Sequence, residues 1–367
     1  MLTDFRYFPR EDLVQTVRTL LDSGLSNAIT MFAARRMGKT QFVRNELLPA
    51  TEAWHWHSCY VDLWVRRDEP ELALVEELER SVREQGLLRR IKPDSVKARA
   101  GYAGTGIEAQ WQGASASDDL ALRLRQAMRQ LVSLADEAVL LVIDEFQALA
   151  TGRHEAFVAT FRATMLELQP KLKIFFTGSS REALNSMFRK RKAPLFESAM
   201  PMSLPELGRD FVEDRAEIFR QMTRRQMVVD DLDQVFQRVS HVPMYLNQIV
   251  MHTVVSLTAD PWEGFRRWQE DMGEAGLREQ WSKLKAIDQI ILQHLAHERP
   301  ESLFGSDFSA LVSTRLADGK PYTPQRIQTV VNRLTRAAIL APKGEAGEYE
   351  IEDRAFAIYL AAHTSAD

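Results

Sequence analysis

The segment Ala33-Ala34-Arg35-Arg36-Met37-Gly38-Lys39-Thr40 has the spacing [AG]-x-x-x-x-G-K-[ST], a pattern suited to cradling phosphate. Backbone N–H groups of such a loop converge on anionic oxygens. The N-terminus of the following helix, opened by Gln41, adds partial positive charge. Lys39 is placed to reach the β- and γ-phosphates, and the Thr40 hydroxyl to ligate Mg²⁺. This chemistry needs a strand before the loop and a helix after it. The apolar run 28–32 predicts the strand, and 41–48 predicts a helix closed by Pro49.

A second group of reactive residues follows the apolar run 138–143, which ends in Asp144-Glu145. Such a run predicts a central parallel strand, buried on both faces, that delivers two carboxylates at its C-terminal edge. Ligands of open α/β sheets bind at that edge. Asp144 is placed to hold Mg²⁺, largely through its water shell, and Glu145 to orient or deprotonate an attacking water. The plainer alternative, a strand ending in a solvated acidic turn, loses weight beside an intact phosphate loop. A third strand, 173–176, ends in Thr177-Gly178-Ser179-Ser180. A hydroxyl there can bond a γ-phosphate or its attacking water, or cap the helix that begins near Arg181. Thr177 and Ser179 are both candidates for the sensing role.

These residues need a scaffold. Further strands are expected at 58–64 and 200–204, with helices at 11–21 and 118–135 and an irregular insertion over 87–117. Strands alternating with helices imply an α/β class, a parallel sheet flanked by helices across 1–207. From 208 to 275 the pattern is helical only, with helices at 209–222 and 232–239. A break at 241–246 precedes a helix to about 257, and the whole reads as a lid. The remainder, 276–367, predicts helices at 283–297, 306–316 and 324–337. A hairpin (339–342 and 349–351) and a last helix (353–362) follow, in the order of a winged helix. Thr323 is a good N-cap there, with Pro324 at the first helical position.

Composition sets the bounds. At 367 residues the chain is too long for one compact core, and 45% hydrophobic with 27% charged residues is ordinary for a globular protein. No apolar run is long enough to span a bilayer, and the first residues lack the basic start and apolar stretch of a signal peptide. The single cysteine, Cys59, excludes an internal disulfide framework and fits a cytoplasmic protein. A net charge of −4 gives no global drive toward nucleic acid.

With its motifs placed, the chain resembles the signal-transducing (STAND) branch of the AAA+ ATPases, the archaeal-type predicted ATPases in particular. The resemblance runs from Phe8 to about Leu360. It is carried by Phe8-x-Arg10-Glu11, the loop ending Gly38-Lys39-Thr40, Asp144-Glu145-Phe146-Gln147, Thr177-Gly178-Ser179-Ser180 and His241-Val242-Pro243-x-Tyr245-Leu246. It implies ATP and Mg²⁺ as cofactors, Arg10 among the nucleotide-binding residues, and Pro243 against the adenine. The family's usual glycines before that proline are His241 and Val242 here, and Ala33 stands where many relatives have glycine. Ser198 falls near where many relatives carry an arginine, so the arginine for the γ-phosphate stays open among Arg181, Arg189 and Arg191. The run Arg189-Lys190-Arg191-Lys192 lies where such subunits often face a neighbour, and its plainer reading is a solvated basic helix end.

Other groupings carry less. His55, His57 and Cys59 alternate along an expected strand, but no fourth zinc ligand accompanies them. Trp54 and Trp56 would face the other side as core or interface, and Met222 and Met227 read as core filler. In the winged helix, Arg326, Arg333 and Arg336 could follow a phosphate backbone. The wing carries Lys343 against Glu345, Glu348, Glu350, Glu352 and Asp353, which DNA would repel. The leading expectation is an ATP-hydrolysing switch that signals to a partner protein or through self-assembly. The alternative is a DNA-associated ATPase of initiator or transposition type.

Overall fold

Strands that are apolar on both faces need cover on both, and alternating helices supply it. In the computed structural model, which describes residues 7–91, 116–273, 276–297, 302–317, 319, 321–337, 339–342 and 347–364, five parallel strands form one sheet. They are β1 (Ala28–Phe32), β2 (His57–Asp62), β3 (Val139–Asp144), β4 (Leu172–Gly178) and β5 (Met200–Ser203), in the order β2-β3-β4-β1-β5. Every residue of β3 and β4 is buried. Because β4 lies between β1 and β3, the loop leaving β1 and the acids leaving β3 flank the end of β4.

Alternation along the strands divides the core in two. Ile29, Met31, Leu140, Val142 and Phe175 face one side of the sheet. Val139, Leu141, Ile143, Ile174 and Phe176 face the other. The second side is closed by α4 (Pro70–Ile91), α5 (Ala116–Leu134), α6 (Glu155–Glu167) and α7 (Arg181–Phe188). The first is closed by α1 (Glu11–Asp22) and by the segment after the phosphate loop, which runs α2 (Lys39–Phe42), a π-turn (Val43–Leu47) and α3 (Leu48–Ala53). Pro49 therefore does not end this helix, as its sequence suggested. It sits in the first turn of α3, where its missing N–H needs no partner, and the π-turn lies immediately before it.

Two further expectations change. The strand expected at 58–64 stops at Asp62, whose side chain accepts the Trp64 N–H at 2.9 Å and starts a 3-10 turn, Leu63–Arg66. The ends of the segment read as irregular, 87–117, are helical, because α4 continues to Ile91 and α5 begins at Ala116; residues 92–115 lie outside the described residues.

After β5 come α8 (Arg209–Thr223), α9 (Val229–Arg238), α10 (Pro243–Val255) and α11 (Pro261–Gly273). Their buried side chains, among them Phe211, Phe236, Tyr245 and Trp268, join the same cluster as Ile29 and Met31. Pro243 is not part of a break; it is the first residue of α10. Helix α11 was not anticipated, although Asp260 caps it by accepting the Trp262 N–H at 2.9 Å and Pro261 opens it. Met222 is 52% exposed, so it does not fill the core as expected; Met227 does.

The C-terminal part contains α12 (Gly276–Ser282), α13 (Ala286–Ala296), α14 (Ser306–Leu316), α15 (Pro324–Arg336), the antiparallel pair β6 (Leu340–Pro342) and β7 (Tyr349–Ile351), and α16 (Arg354–His363). The sequence reading had three helices before the hairpin; α12 is a further short helix ahead of them. These elements bury a cluster of their own around Ile291, Val312, Ile327, Val331 and Phe356. Helix α16 also reaches the α8–α11 part: Ala355 belongs to the first cluster, and Arg354 donates to the Ser240 carbonyl.

Candidate nucleotide site

The phosphate loop is shaped by two left-handed residues, Arg36 (φ 69°) and Gly38 (φ 93°). Only glycine adopts the second without strain. Lys39, at the start of α2, is 5% exposed. Its Nζ donates to the carbonyls of Ala33 (2.5 Å) and Ala34 (3.1 Å), across the mouth of its own loop. Burial pushes its pKa below the usual lysine range, the charges of Glu145 and Asp144 oppose that, and Arg35 adds to it.

Arg10 supports the loop from outside. Its Nη2 donates to the Met37 carbonyl at 3.1 Å, and its backbone N–H donates to Glu46 Oε1 at 2.7 Å, which also accepts the Tyr7 hydroxyl. A Cβ on Gly38 would lie 3.5 Å from Arg10 Nη1. Arg10 thus contacts the loop's backbone, and burial lowers its pKa.

Asp144, 1% exposed, is the point on which separate elements converge. Its Oδ2 accepts Thr40 Oγ1 at 2.7 Å and the Tyr60 hydroxyl at 3.0 Å. Its Oδ1 accepts the Thr177 hydroxyl and the Glu145 N–H, the latter at 3.1 Å. Four donors therefore meet on this one carboxylate. For Tyr60, burial and then the neighbouring Asp144 charge push the pKa up.

Glu145 lies just beyond β3 in the left-handed region (φ 56°), which turns its side chain away from the strand direction. Its Oε2 accepts Ser179 Oγ at 2.8 Å and the Gln147 amide. Gln147 Nε2 also donates to Ser179 Oγ at 3.1 Å. The two hydroxyls left open by the sequence are therefore separated, Thr177 on Asp144 and Ser179 on Glu145. Gln147 Oε1 is buried without a partner, and a Cβ on Gly178 would come within 2.5 Å of it. Sequence reasoning missed Tyr60 as a site residue; its only signal was its place on a strand beside β3.

Pro243 is buried at the start of α10, but the residue of that helix that reaches the phosphate loop is Tyr245. Arg36 Nη1 donates to the Tyr245 hydroxyl, with the guanidinium carbon 5.2 Å from the ring centroid. The ring packs on Trp268 at 5.0 Å. The Tyr245 pKa is pushed up to about 12, chiefly by burial with Asp353 assisting, against the lowering effect of Arg36 and the Ala355 amide.

His55 is left-handed (φ 58°) in the turn before β2, not on the strand with His57 and Cys59. Burial pushes the Cys59 thiol up to about 12, and among the described residues no cluster of three metal-ligating side chains occurs. Trp54 is buried edge-on to Trp56. Arg189, Lys190, Arg191 and Lys192 are exposed in the turn after α7, and the Arg181 side chain lies outside the described residues.

No protein-family model matches this sequence, and no curated protein matches it. Among solved structures, the chain is similar to the Walker-type ATPase PABY2304 of Pyrococcus abyssi. That likeness has a TM-score of 0.64 at 18% identity and covers 97% of this chain and 99% of that one. It is also similar to the ORC2 protein of Aeropyrum pernix in its ADP form, with a TM-score of 0.54 at 14% identity over 97% and 94% of the two chains. The chain has the AAA+ P-loop fold. At these identities the likeness is one of fold alone.

The residues at this place in the AAA+ fold fit a nucleotide with Mg²⁺. That ion is ordinarily held by one or two protein ligands together with phosphate oxygens and waters. Thr40 and Asp144, 2.7 Å apart, supply such a pair. Among the described residues no helix is long and apolar enough to cross a membrane.

Proposed function

We propose that the chain binds ATP with Mg²⁺ at the loop 33–41, hydrolyses it, and passes its nucleotide state to a partner protein or an assembly. The observation that carries this reading is the convergence of Thr40 and Thr177 on Asp144, which gathers the loop, β3 and β4 at one point. The bound metal would neutralise charge on the transferring phosphoryl group. Thr40 and Asp144 hold that metal, and Lys39 turns from the Ala33 and Ala34 carbonyls to the phosphates. Glu145 orients and deprotonates the attacking water, with Ser179 and Gln147 fixing its carboxylate. In this reading 1–207 is the ATPase core, 208–275 the lid and 276–367 the winged helix, with Pro243 on the adenine side.

Contacts between the loop, the lid and α16 favour a switch over simple turnover. The test is phosphate release by the full chain, with hydrogen exchange over 353–363 measured with and without ATP. Turnover that disappears in Lys39→Ala, together with ATP-dependent exchange, supports the reading. Turnover with unchanged exchange would leave an ATPase and remove the switch.

One observation favours the DNA alternative. Helix α15 contains no carboxylate, and its exposed residues include Gln325, Arg326, Thr329 and Asn332, which suit base edges and phosphates. Against it, Arg333 is engaged with buried Asp288, and Arg326 donates to the Pro321 carbonyl while lying over the Tyr322 ring. The protein-partner reading is preferred.

A further inference from the structure

We propose that the Arg35 side chain recognises the γ-phosphate within the same subunit, with the Trp64 ring as the platform that holds it. This rests on the ATP reading above. It assigns the γ-phosphate arginine to a residue that neither the sequence motif nor the comparisons single out for that role.

The argument begins with the order of the strands. Arg35 belongs to the loop after β1, and Trp64 to the 3-10 turn after β2. In the sheet, β1 and β2 are separated by β4 and β3. Yet the Arg35 guanidinium carbon lies 4.8 Å from the centre of the Trp64 ring. Loop and side chain together therefore extend across the ends of β4 and β3, where Thr177, Asp144 and Glu145 stand. A water activated by Glu145 attacks the terminal phosphate, so that phosphate must lie in this region, under Arg35.

The platform is fixed. Asp62 holds the Trp64 N–H at 2.9 Å, and Asp62 is in register with Asp144 on β3. Arg67 also lies over the ring, at 3.6 Å. Stacking engages the flat face of a guanidinium and leaves its N–H edge free to donate to phosphate oxygens. Arg35 is exposed, and its charge is close enough to act on Lys39. Among other arginines near the loop, Arg36 donates to Tyr245, Arg10 donates to the Met37 carbonyl, and Arg44 lies over the Tyr60 ring at 5.0 Å.

The test compares nucleotides that differ only at the terminal phosphate. ADP–Mg²⁺ and ATPγS–Mg²⁺ are titrated by calorimetry into the full-length wild type, Arg35→Ala, Arg35→Lys and Trp64→Leu. Arg35→Ala should weaken ATPγS about tenfold or more, the scale of a lost charge-assisted bond, and leave ADP within about twofold. Arg35→Lys should recover part of the loss, because a point charge cannot reproduce the fork, and Trp64→Leu should weaken ATPγS selectively but less. Tryptophan emission is a second readout. ATPγS should change it, and the change should vanish in Trp64→Phe and in Arg35→Ala. Equal losses for both nucleotides in Arg35→Ala, or no loss for either, would overturn the assignment while the ATP reading stands. Wild type that binds neither nucleotide removes the ATP reading and this assignment with it.

Discussion

Lys39 is a cation held against two carbonyls in a place where burial disfavours its charge. Phosphates would relieve both conditions, so Lys39→Ala should lose measurable ATP–Mg²⁺ affinity in calorimetry; affinity equal to wild type would move the site elsewhere. A pH dependence follows with a definite sign. The folded-state pKa of Lys39 is lowered, and an anionic ligand raises it again. On the alkaline side, below the ordinary lysine value, ATP binding should therefore take up protons, and affinity should fall as pH rises. Binding enthalpies measured in buffers of different ionisation enthalpy report the proton count, and the uptake should be missing in Lys39→Ala. For Glu145→Gln, shape and hydrogen bonding persist without the base. It should bind ATP and release phosphate at least ~100-fold more slowly, the usual scale for a lost general base. Turnover near wild type would assign the base elsewhere.

The elements decide how much of this was legible beforehand. The loop, Asp144, Glu145 and the hydroxyls at the end of β4 were readable because each is fixed by a short local pattern: a buried run, then a reactive residue at the sheet edge. The partners of those residues were not. Tyr60 meets Asp144 only because β2 pairs with β3, and Gln147 meets Ser179 only because β4 lies alongside. Strand order sets both contacts, and no spacing in the sequence encodes it. Pro49, after 41–48, misled for a different reason, since a first-turn proline and a helix-ending one look alike without the hydrogen bonds. Gly178 tests the packing beneath the site. A Cβ there would lie 2.5 Å from Gln147 Oε1 and 2.8 Å from Leu184 Cδ1. Gly178→Ala should cost about 1–3 kcal/mol in chemical denaturation and displace Gln147 from Glu145, lowering turnover more than nucleotide affinity. The opposite pattern would show that Gln147 does not matter to Glu145.

At the scale of the whole molecule, the C-terminal part presents a helix without carboxylates beside an acidic hairpin. If it docks protein, full-length chain should bind duplex DNA weakly, with little salt dependence. A DNA reader would show a log–log salt slope near −0.9 per phosphate neutralised, reduced by roughly one unit for each arginine removed from Arg326, Arg333 and Arg336. Fluorescence anisotropy at two salt concentrations separates the two.

The Tyr245 hydroxyl has a consequence of another kind. Arg36 of the phosphate loop donates to it, and the start of α16 bears on it through Ala355 and Asp353. Any ligand that shifts the phosphate loop moves Arg36 with it, and so changes the state of an atom on which the C-terminal part bears. Linkage then requires reciprocity: the factor by which ATP alters a partner's affinity is the factor by which that partner alters the affinity for ATP. One charge-assisted bond of about 1.5–3 kcal/mol limits what this contact alone can transmit to roughly ten- to a hundredfold. Tyr245→Phe should leave both affinities measurable and weaken their coupling by up to that factor.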